Sequence, residues 1–295
     1  MFKTILLKDI SPAAAQNYLL HSVAPRPICF ASTIDINGKV NLSPFSFFNL
    51  FSTNPAIVVF SPSRRVRDNT TKHTLQNILE VPEVSINIVS YDMVQQTSLA
   101  SCEYPKGTDE FLKTGFTQEP SQIIKPPRIK DSPIQMECKV LEVKPLGTEG
   151  GAGNLVIAEI LLMHINENIL NEAGNIDQKK LDVVARLGGN WYTRANSSTI
   201  FEVEKPNTQL GIGVDSLPEN IRNSKILTGN NLGQLANVKE TPFVDTAFED
   251  DQLKNIFQYY SADPEEMEKE LHLYAKELLD NGKVREAWQV LLALN

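Results

Sequence analysis

Short apolar runs, broken at close intervals by turn residues, limit this chain's fold more than any other feature. Residues 27–33, 39–42, 56–60, 84–89, 134–144 and 155–165 carry β-branched, aromatic or alternating apolar residues, the pattern of strands. Asp35-Ile36-Asn37-Gly38 separates the first two, and Asn-Gly between apolar segments favours a hairpin because both residues tolerate positive φ. The last two flank a glycine-rich stretch, residues 147–154, which lacks the G-x-G-x-x-G order and following helix of a phosphate loop and reads as a hairpin connector. Ser11-Pro12 before a run of alanines opens a short helix. Further helical patches fall at 71–80 and about 91–102. Many short strands with few intervening helices give a mostly β fold with peripheral helices, an antiparallel barrel rather than a doubly wound sheet.

Length and composition exclude several classes of function. The 295 residues allow one large domain or a domain with an appendage, and 41% hydrophobic content suits a substantial core. The first ten residues, MFKTILLKDI, lack the apolar core of a signal peptide, and no apolar run approaches the ~20 residues needed to cross a bilayer. Cys29, Cys102 and Cys138 are widely separated, so the expected compartment is the cytoplasm. A net charge of −8 argues against nucleic acid as a partner. With only His21, His73, His164 and His272, and no H-E-x-x-H, no metal site is expected. G-x-S-x-G and the dinucleotide-binding glycine fingerprint are also missing.

One cationic corner stands out in this acidic chain. Residues 61–77 carry Arg64, Arg65, Arg67 and Lys72 against the single acid Asp68. They follow the buried-strand run Ala56-Ile57-Val58-Val59-Phe60 and lead into Leu75, Ile78 and Leu79 at helical spacing. A helix start crowded with hydroxyls and cations is physically an anion site, although a solvated basic loop capping a surface helix has the same composition. Just upstream lies Ser43-Pro44-Phe45-Ser46-Phe47-Phe48-Asn49, polar and aromatic together. The pair suits a ligand with a flat ring at one end and a phosphate at the other.

These blocks, PRPICFAST, NLSPFSFFN, NPAIVVFS and KHTLQNI, resemble in order and spacing the flavin reductase family with the FMN-binding split-barrel fold. Ala185-Arg186-Leu187-Gly188-Gly189 resembles its closing segment, so the resemblance covers about residues 18–203. It implies an antiparallel six-stranded split β-barrel that binds FMN. In that reading Ser43, Pro44, Phe45, Ser46, Phe47 and Asn49 contact the ring and ribityl chain. Ser61, Arg64 or Arg65, Lys72 and Thr74 hold the phosphate, and Asn77 braces the turn. His73 stands where the family usually has Asp, which puts that position's usual role in question.

The resemblance further implies an NAD(P)H:flavin or acceptor reductase, with hydride passing from the nicotinamide to flavin N5. The final acceptor would be free flavin, oxygen, an iron complex or a partner monooxygenase. A homodimer is expected, because such barrels complete the flavin site across an interface. Arg186 and Tyr192 are candidates for the nicotinamide side; alternatively Arg186 pairs with a carboxylate in a barrel-closing strand and Trp191 packs. His164 in the strand LLMHIN is a weaker candidate, since a lone strand histidine is usually structural. A non-catalytic FMN electron carrier that docks a partner through its acidic tail remains the alternative, and a heme- or pyridoxine-phosphate-binding barrel shares the fold.

Residues 104–131 form a long, polar, proline-rich loop in which Phe111, Phe116 and Ile123 either line an entrance or anchor the loop. The domain reading is 1–205 for the barrel, 206–250 for an irregular extension without a core of its own, and 251–295 for a helical hairpin tail. Ser216 and Asn230 have helix-cap character within the extension, although simple turn chemistry is the favoured reading of both. In the tail, Asp263-Pro264-Glu265-Glu266 is a strong helix start, and Asn281-Gly282 breaks the helix before Ala287, Trp288, Leu291 and Leu292. Residues 245–286 hold twelve acids and five bases, a net −7, which marks an interaction or dimer-clasping element.

Overall fold

A computed structural model describes residues 1–203 and 210–294. It divides into two compact units, Met1–Phe201 and Glu202–Asn295. The expected end of the barrel at 202–206 falls partly outside the described residues.

In the first unit Ser11 accepts the Ala14 N–H, with Pro12 in the first turn, and opens α1 (Pro12–Ser22). The strands β1 (Arg26–Pro27), β2 (Cys29–Ile34), β3 (Val40–Phe45), β4 (Phe48–Thr53) and β5 (Ala56–Phe60) follow. Gly38 sits at φ +78° in the expected β2–β3 hairpin, where only glycine is unstrained. Next come α2 (His73–Glu80), β6 (Glu83–Ile88), a short 3-10 turn, α3 (Val94–Leu99) and α4 (Glu110–Thr114). The chain continues through β7 (Gln118–Glu119), β8 (Arg128–Ile129), β9 (Ile134–Pro145), β10 (Asn154–Ile165), α5 (Gln178–Leu181), β11 (Val183–Arg186) and β12 (Tyr192–Ala195).

The main sheet has seven strands in the order β3-β2-β6-β9-β10-β5-β4, one more than the six expected. The added strand is β4, which Asn54-Pro55 folds back onto β5 with Thr53 opposite Ala56. Its exposed apolar side chains gave no core-strand pattern in the sequence. Strands β3 and β4 end the order on opposite sides, yet only Ser46 and Phe47 join them. A flat seven-strand sheet would separate its edges by roughly 29 Å. Three Cα–Cα steps reach about 11 Å at most, so the sheet must curl until its edges meet. This is a split barrel.

Its interior holds Cys29, Ala31, Phe45, Val58, Phe60, Ile86, Cys138 and Val156. Burial pushes the Cys138 thiol up to about 12 and Cys29 well above its ordinary value, so both stay protonated packing groups. A second cluster on the other face of β2, with Phe30, Leu42, Phe111 and Phe116, lies under α3 and α4. β2 is thus buried on both sides. Phe116 meets Phe30 edge-on at 5.3 Å, so Phe111 and Phe116 anchor the 104–131 loop, whereas Ile123 is exposed.

The second unit contains α6 (Glu219–Arg222), α7 (Gly229–Ala236), α8 (Asp251–Tyr260), α9 (Pro264–Asp280) and α10 (Val284–Leu292). The helix start at Asp263 is as expected: its carboxylate accepts the Glu266 N–H. The segment before α8 packs over the surface of the helical hairpin. Leu217, Ile221, Leu227 and Leu235 pack into one cluster with Leu271, Leu279, Trp288 and Leu291. Thr228 and Asn231, not Ser216 and Asn230, form the capping box that starts α7.

Candidate functional site

Helix α2 begins at the end of the basic stretch, and no side chain caps it; Lys72 occupies the cap position. Its first-turn N–H groups therefore face a cationic corner, the arrangement that attracts an anion. A cavity of about 80 Å³ lies there, lined among others by Ser43, Arg65, Lys72, His73, Ser101 and Glu103.

The four cations of this stretch have different employments. Arg64 donates to the Asn69 side chain and carbonyl at 2.6 and 2.8 Å, which ties the loop to itself. Arg67 is exposed and pairs with Asp68 and Glu103. Arg65 reaches the cavity, donating to the Thr70 hydroxyl and Thr71 carbonyl, and meets Glu103 at 3.0 Å. Lys72 is half-buried and has no ion pair among the described residues; burial first, and Arg65 second, hold its ammonium below the ordinary lysine value. His73 is likewise held below its ordinary value by burial and then by Arg65, Lys106 and Lys72, so it is neutral at pH 7.

A second cavity of about 390 Å³ shares Pro44, Phe45 and Ser101 with the first, so the two adjoin. Its other walls come from Ser46 just after β3, from α1 through Gln16 and His21, and from Arg26, Arg186 and Tyr192. Arg26 and Arg186 are register partners across β1 and β11, and Tyr192 is the partner of Arg186 on β12. Arg186 donates to the Tyr192 hydroxyl and to the Gly189 carbonyl at 2.7 Å, and its guanidinium lies 4.6 Å from the tyrosine ring centre. Among the described residues it pairs with no carboxylate, and Trp191 is exposed, so the alternative in which Arg186 pairs with an acid and Trp191 packs does not describe the structure.

Of the sequence-predicted ring contacts, Ser43, Pro44, Phe45 and Ser46 line the two cavities. Phe47 is exposed and Asn49, on β4, accepts the Leu50 N–H; neither lines these two cavities. Of the phosphate set, Arg65 and Lys72 line the small cavity. Ser61 instead accepts the Asn154 N–H at 3.1 Å, Thr74 accepts from Asn41 at 3.0 Å, and Asn77 braces α2 against Thr33 at 3.2 Å. His164 lines neither cavity. It bonds at 2.7 Å to Glu137, a buried carboxylate that also takes the N–H groups of Gln122 and Ile123 and so fastens the 104–131 loop to the barrel. Sequence reasoning missed Gln16, Arg26, Ser101 and Glu103; for Arg26, a cation immediately before a fully buried strand was the available signal.

The glycine-rich β9–β10 connector closes over the basic loop. Gly151 donates to the Arg64 carbonyl, Arg64 to the Ala152 carbonyl, and an added Cβ at Gly153 would stand 2.6 Å from the Ser61 hydroxyl. It braces the cationic corner without being a phosphate loop.

The curled sheet thus carries a cationic corner beside a cavity of about 390 Å³. The sequence profile of the flavin reductase like domain matches residues 21–182, and the chain belongs to that family. An uncharacterized protein of Aquifex aeolicus is 34% identical over 190 residues, 64% of this chain and 94% of that protein. Among solved structures, nitrilotriacetate monooxygenase component B from Bacillus cereus superposes with a TM-score of 0.64 at 25% identity, covering 69% of this chain and 99% of that one. A 2-nitrobenzoate 2-nitroreductase from Pseudomonas fluorescens gives 0.61 at 26% identity, over 68% of this chain and 96% of that one. Among the described residues no helix is long and apolar enough to cross a membrane, and no group of three or more His, Cys, Asp or Glu is placed to hold a metal ion.

Proposed function

We propose that the protein is an FMN-dependent oxidoreductase, an NAD(P)H:flavin or acceptor reductase. The observation that carries this reading is the joined pair of cavities, one small and cationic, the other about 390 Å³ and walled by Pro44, Phe45 and Tyr192. The larger lies within the range of cofactor pockets, roughly 300–1,000 Å³. Lys72 and Arg65 would hold the phosphate, a point charge beside a planar fork. Phe45 and Pro44 would wall the ring, with Ser43 and Ser46 beside them. A bound isoalloxazine supplies the hydride and electron chemistry, which is why no side-chain nucleophile is needed.

The chain's own part is to bind, orient and shield. Helix α1 lends Gln16 and His21 to the wall of the larger cavity, and Arg186 and Tyr192 line the same cavity, which supports a role for them toward a nicotinamide or acceptor. The relative from Bacillus cereus is a monooxygenase component, which supports an acceptor that is itself a partner protein. A homodimer is part of the proposal. Leu50 and Phe51 on β4, and Leu161, Met163 and Ile165 at alternate positions of β10, leave apolar surface exposed.

Oxidation of NADH or NADPH by the FMN-loaded protein tests the reading, with light scattering for the dimer. Turnover dependent on FMN supports it. A protein that holds FMN without turnover is the electron carrier instead, and one that holds no flavin overturns both.

A further inference from the structure

We propose that Arg26, Arg186 and Tyr192 form an oxyanion-binding row, and that the second ligand of the larger cavity carries a carboxylate or phosphate. This rests on the reading that the same cavity holds the flavin ring.

The row is a property of the three-stranded sheet. Arg26 and Arg186 face each other in register across β1 and β11, Tyr192 stands opposite Arg186 on β12, and all three line the cavity. Like charges directly opposite in a sheet repel. The repulsion registers on Arg26, whose guanidinium is held below its ordinary value by burial and then by Arg186. No aspartate or glutamate lines this cavity, and neither arginine has an ion pair among the described residues.

The two arginines are not equivalent. Arg26 is buried, and its terminal nitrogens donate to the carbonyls of Leu20, Val23 and Leu187, pinning the end of α1 to β11; its Nε has no partner. It supplies fixed positive charge within the wall. Arg186 is only half-buried, tethered by Tyr192 and Gly189, and supplies the surface an anion touches. The flavin phosphate does not answer this charge in the proposed arrangement, because Lys72 and Arg65 stand at the other cavity. Two unneutralised guanidiniums facing one pocket therefore select an anionic partner: an acidic acceptor, or the 2′-phosphate that distinguishes NADPH from NADH.

The experiment titrates the FMN-loaded protein with benzoate, benzamide, NADPH and NADH, and follows the flavin difference spectrum. Benzoate binding at least tenfold tighter than benzamide assigns the row to a carboxylate acceptor; NADPH binding at least tenfold tighter than NADH assigns it to the nucleotide phosphate. Either preference should collapse in Arg186→Gln and persist in Arg186→Lys, and Tyr192→Phe gives a second variant should Arg186→Gln fold poorly. FMN-loaded protein with no preference in either pair, or with a preference unchanged in Arg186→Gln, overturns the proposal while the flavin reading stands. Failure to load FMN overturns the flavin reading first.

Discussion

Replacing Lys72 by Met tests the phosphate corner most sharply, because the stem is kept and only the charge is lost. Arg65 is held by Glu103 at 3.0 Å, whereas Lys72 feels that carboxylate only at longer range and has no ion pair among the described residues, so the lysine is the less neutralised of the two cations lining the small cavity. A hydrogen bond between charged groups contributes about 1.5–3 kcal/mol. At 1.4 kcal/mol per tenfold, Lys72→Met should weaken FMN binding roughly 12- to 140-fold. Riboflavin has the same ring and no phosphate, so its affinity should stay put. Fluorescence titration of both ligands against both proteins reads the contrast directly. An equal loss for FMN and riboflavin, or no loss for either, would refute the placement of the phosphate.

The same substitution has an opposite effect on the empty protein. Burial and Arg65 hold the Lys72 ammonium below its ordinary 10.5. The folded state therefore disfavours the proton that the unfolded chain keeps, and the charge costs stability at every pH below the folded value. That cost disappears once the pH passes 10.5, where both states are neutral. Ligand-free Lys72→Met should accordingly be more stable than wild type in urea at pH 7, with the gain shrinking toward pH 11. Better folding with poorer FMN binding is the signature of a binding residue; worse on both counts is that of a structural one.

Glu103→Gln should tighten FMN binding, since it frees Arg65 and Arg67 from a competing carboxylate; unchanged or weaker binding on titration would count against that competition. Glu137→Ala removes a buried carboxylate that bonds to Gln122, Ile123 and His164, and should cost about 3–5 kcal/mol in urea unfolding. Burial alone would raise the Glu137 carboxyl, but those N–H groups and His164 outweigh it and hold it below 4.5. The advantage of wild type over Glu137→Gln is therefore complete above pH 4.5 and lost as acid titrates the folded group; a gap that widens on acidification contradicts this. Trp288→Ala, which empties the middle of the second unit's core, should cost about 3–5 kcal/mol and move a calorimetric transition to lower temperature; an unmoved transition would place the core elsewhere.

Much of the barrel was legible because its signals are local. Asn37-Gly38 and the glycines before Asn154 fix hairpins through backbone geometry alone, and the β9 and β10 runs are apolar-rich over a full strand length. The strand β4 was not legible, because its side chains point outward and its partner is set by closure of the whole sheet. At the site, residue type told where cations are but not what each one does. Arg64 and Arg65 are adjacent and chemically identical, yet one ties a loop and the other faces a cavity, a difference made by Asn69 and Glu103. Arg26 and Arg186 are opposite only through strand pairing across most of the barrel's sequence, so no local pattern announces them.

The second unit shows the same limit more severely. A helical hairpin such as α9–α10 has two apolar faces and can bury only one of them against itself. Leu271, Ala275, Leu279 and Trp288 need a further wall, and Leu217, Ile221, Leu227 and Leu235 provide it from a stretch whose apolar residues are too sparse to suggest a core. Asn231 fastens the two parts, closing the cap of α7 and donating to Asp280 at the end of α9 at 3.1 Å. The Trp288 indole N–H donates to the Leu235 carbonyl at the other end of α7. The acidic helices are therefore no detachable tail. Deleting residues 210–250 would strip one wall from a core that contains a fully buried tryptophan, and the remaining hairpin would expose the apolar face that its own sequence period was built to hide.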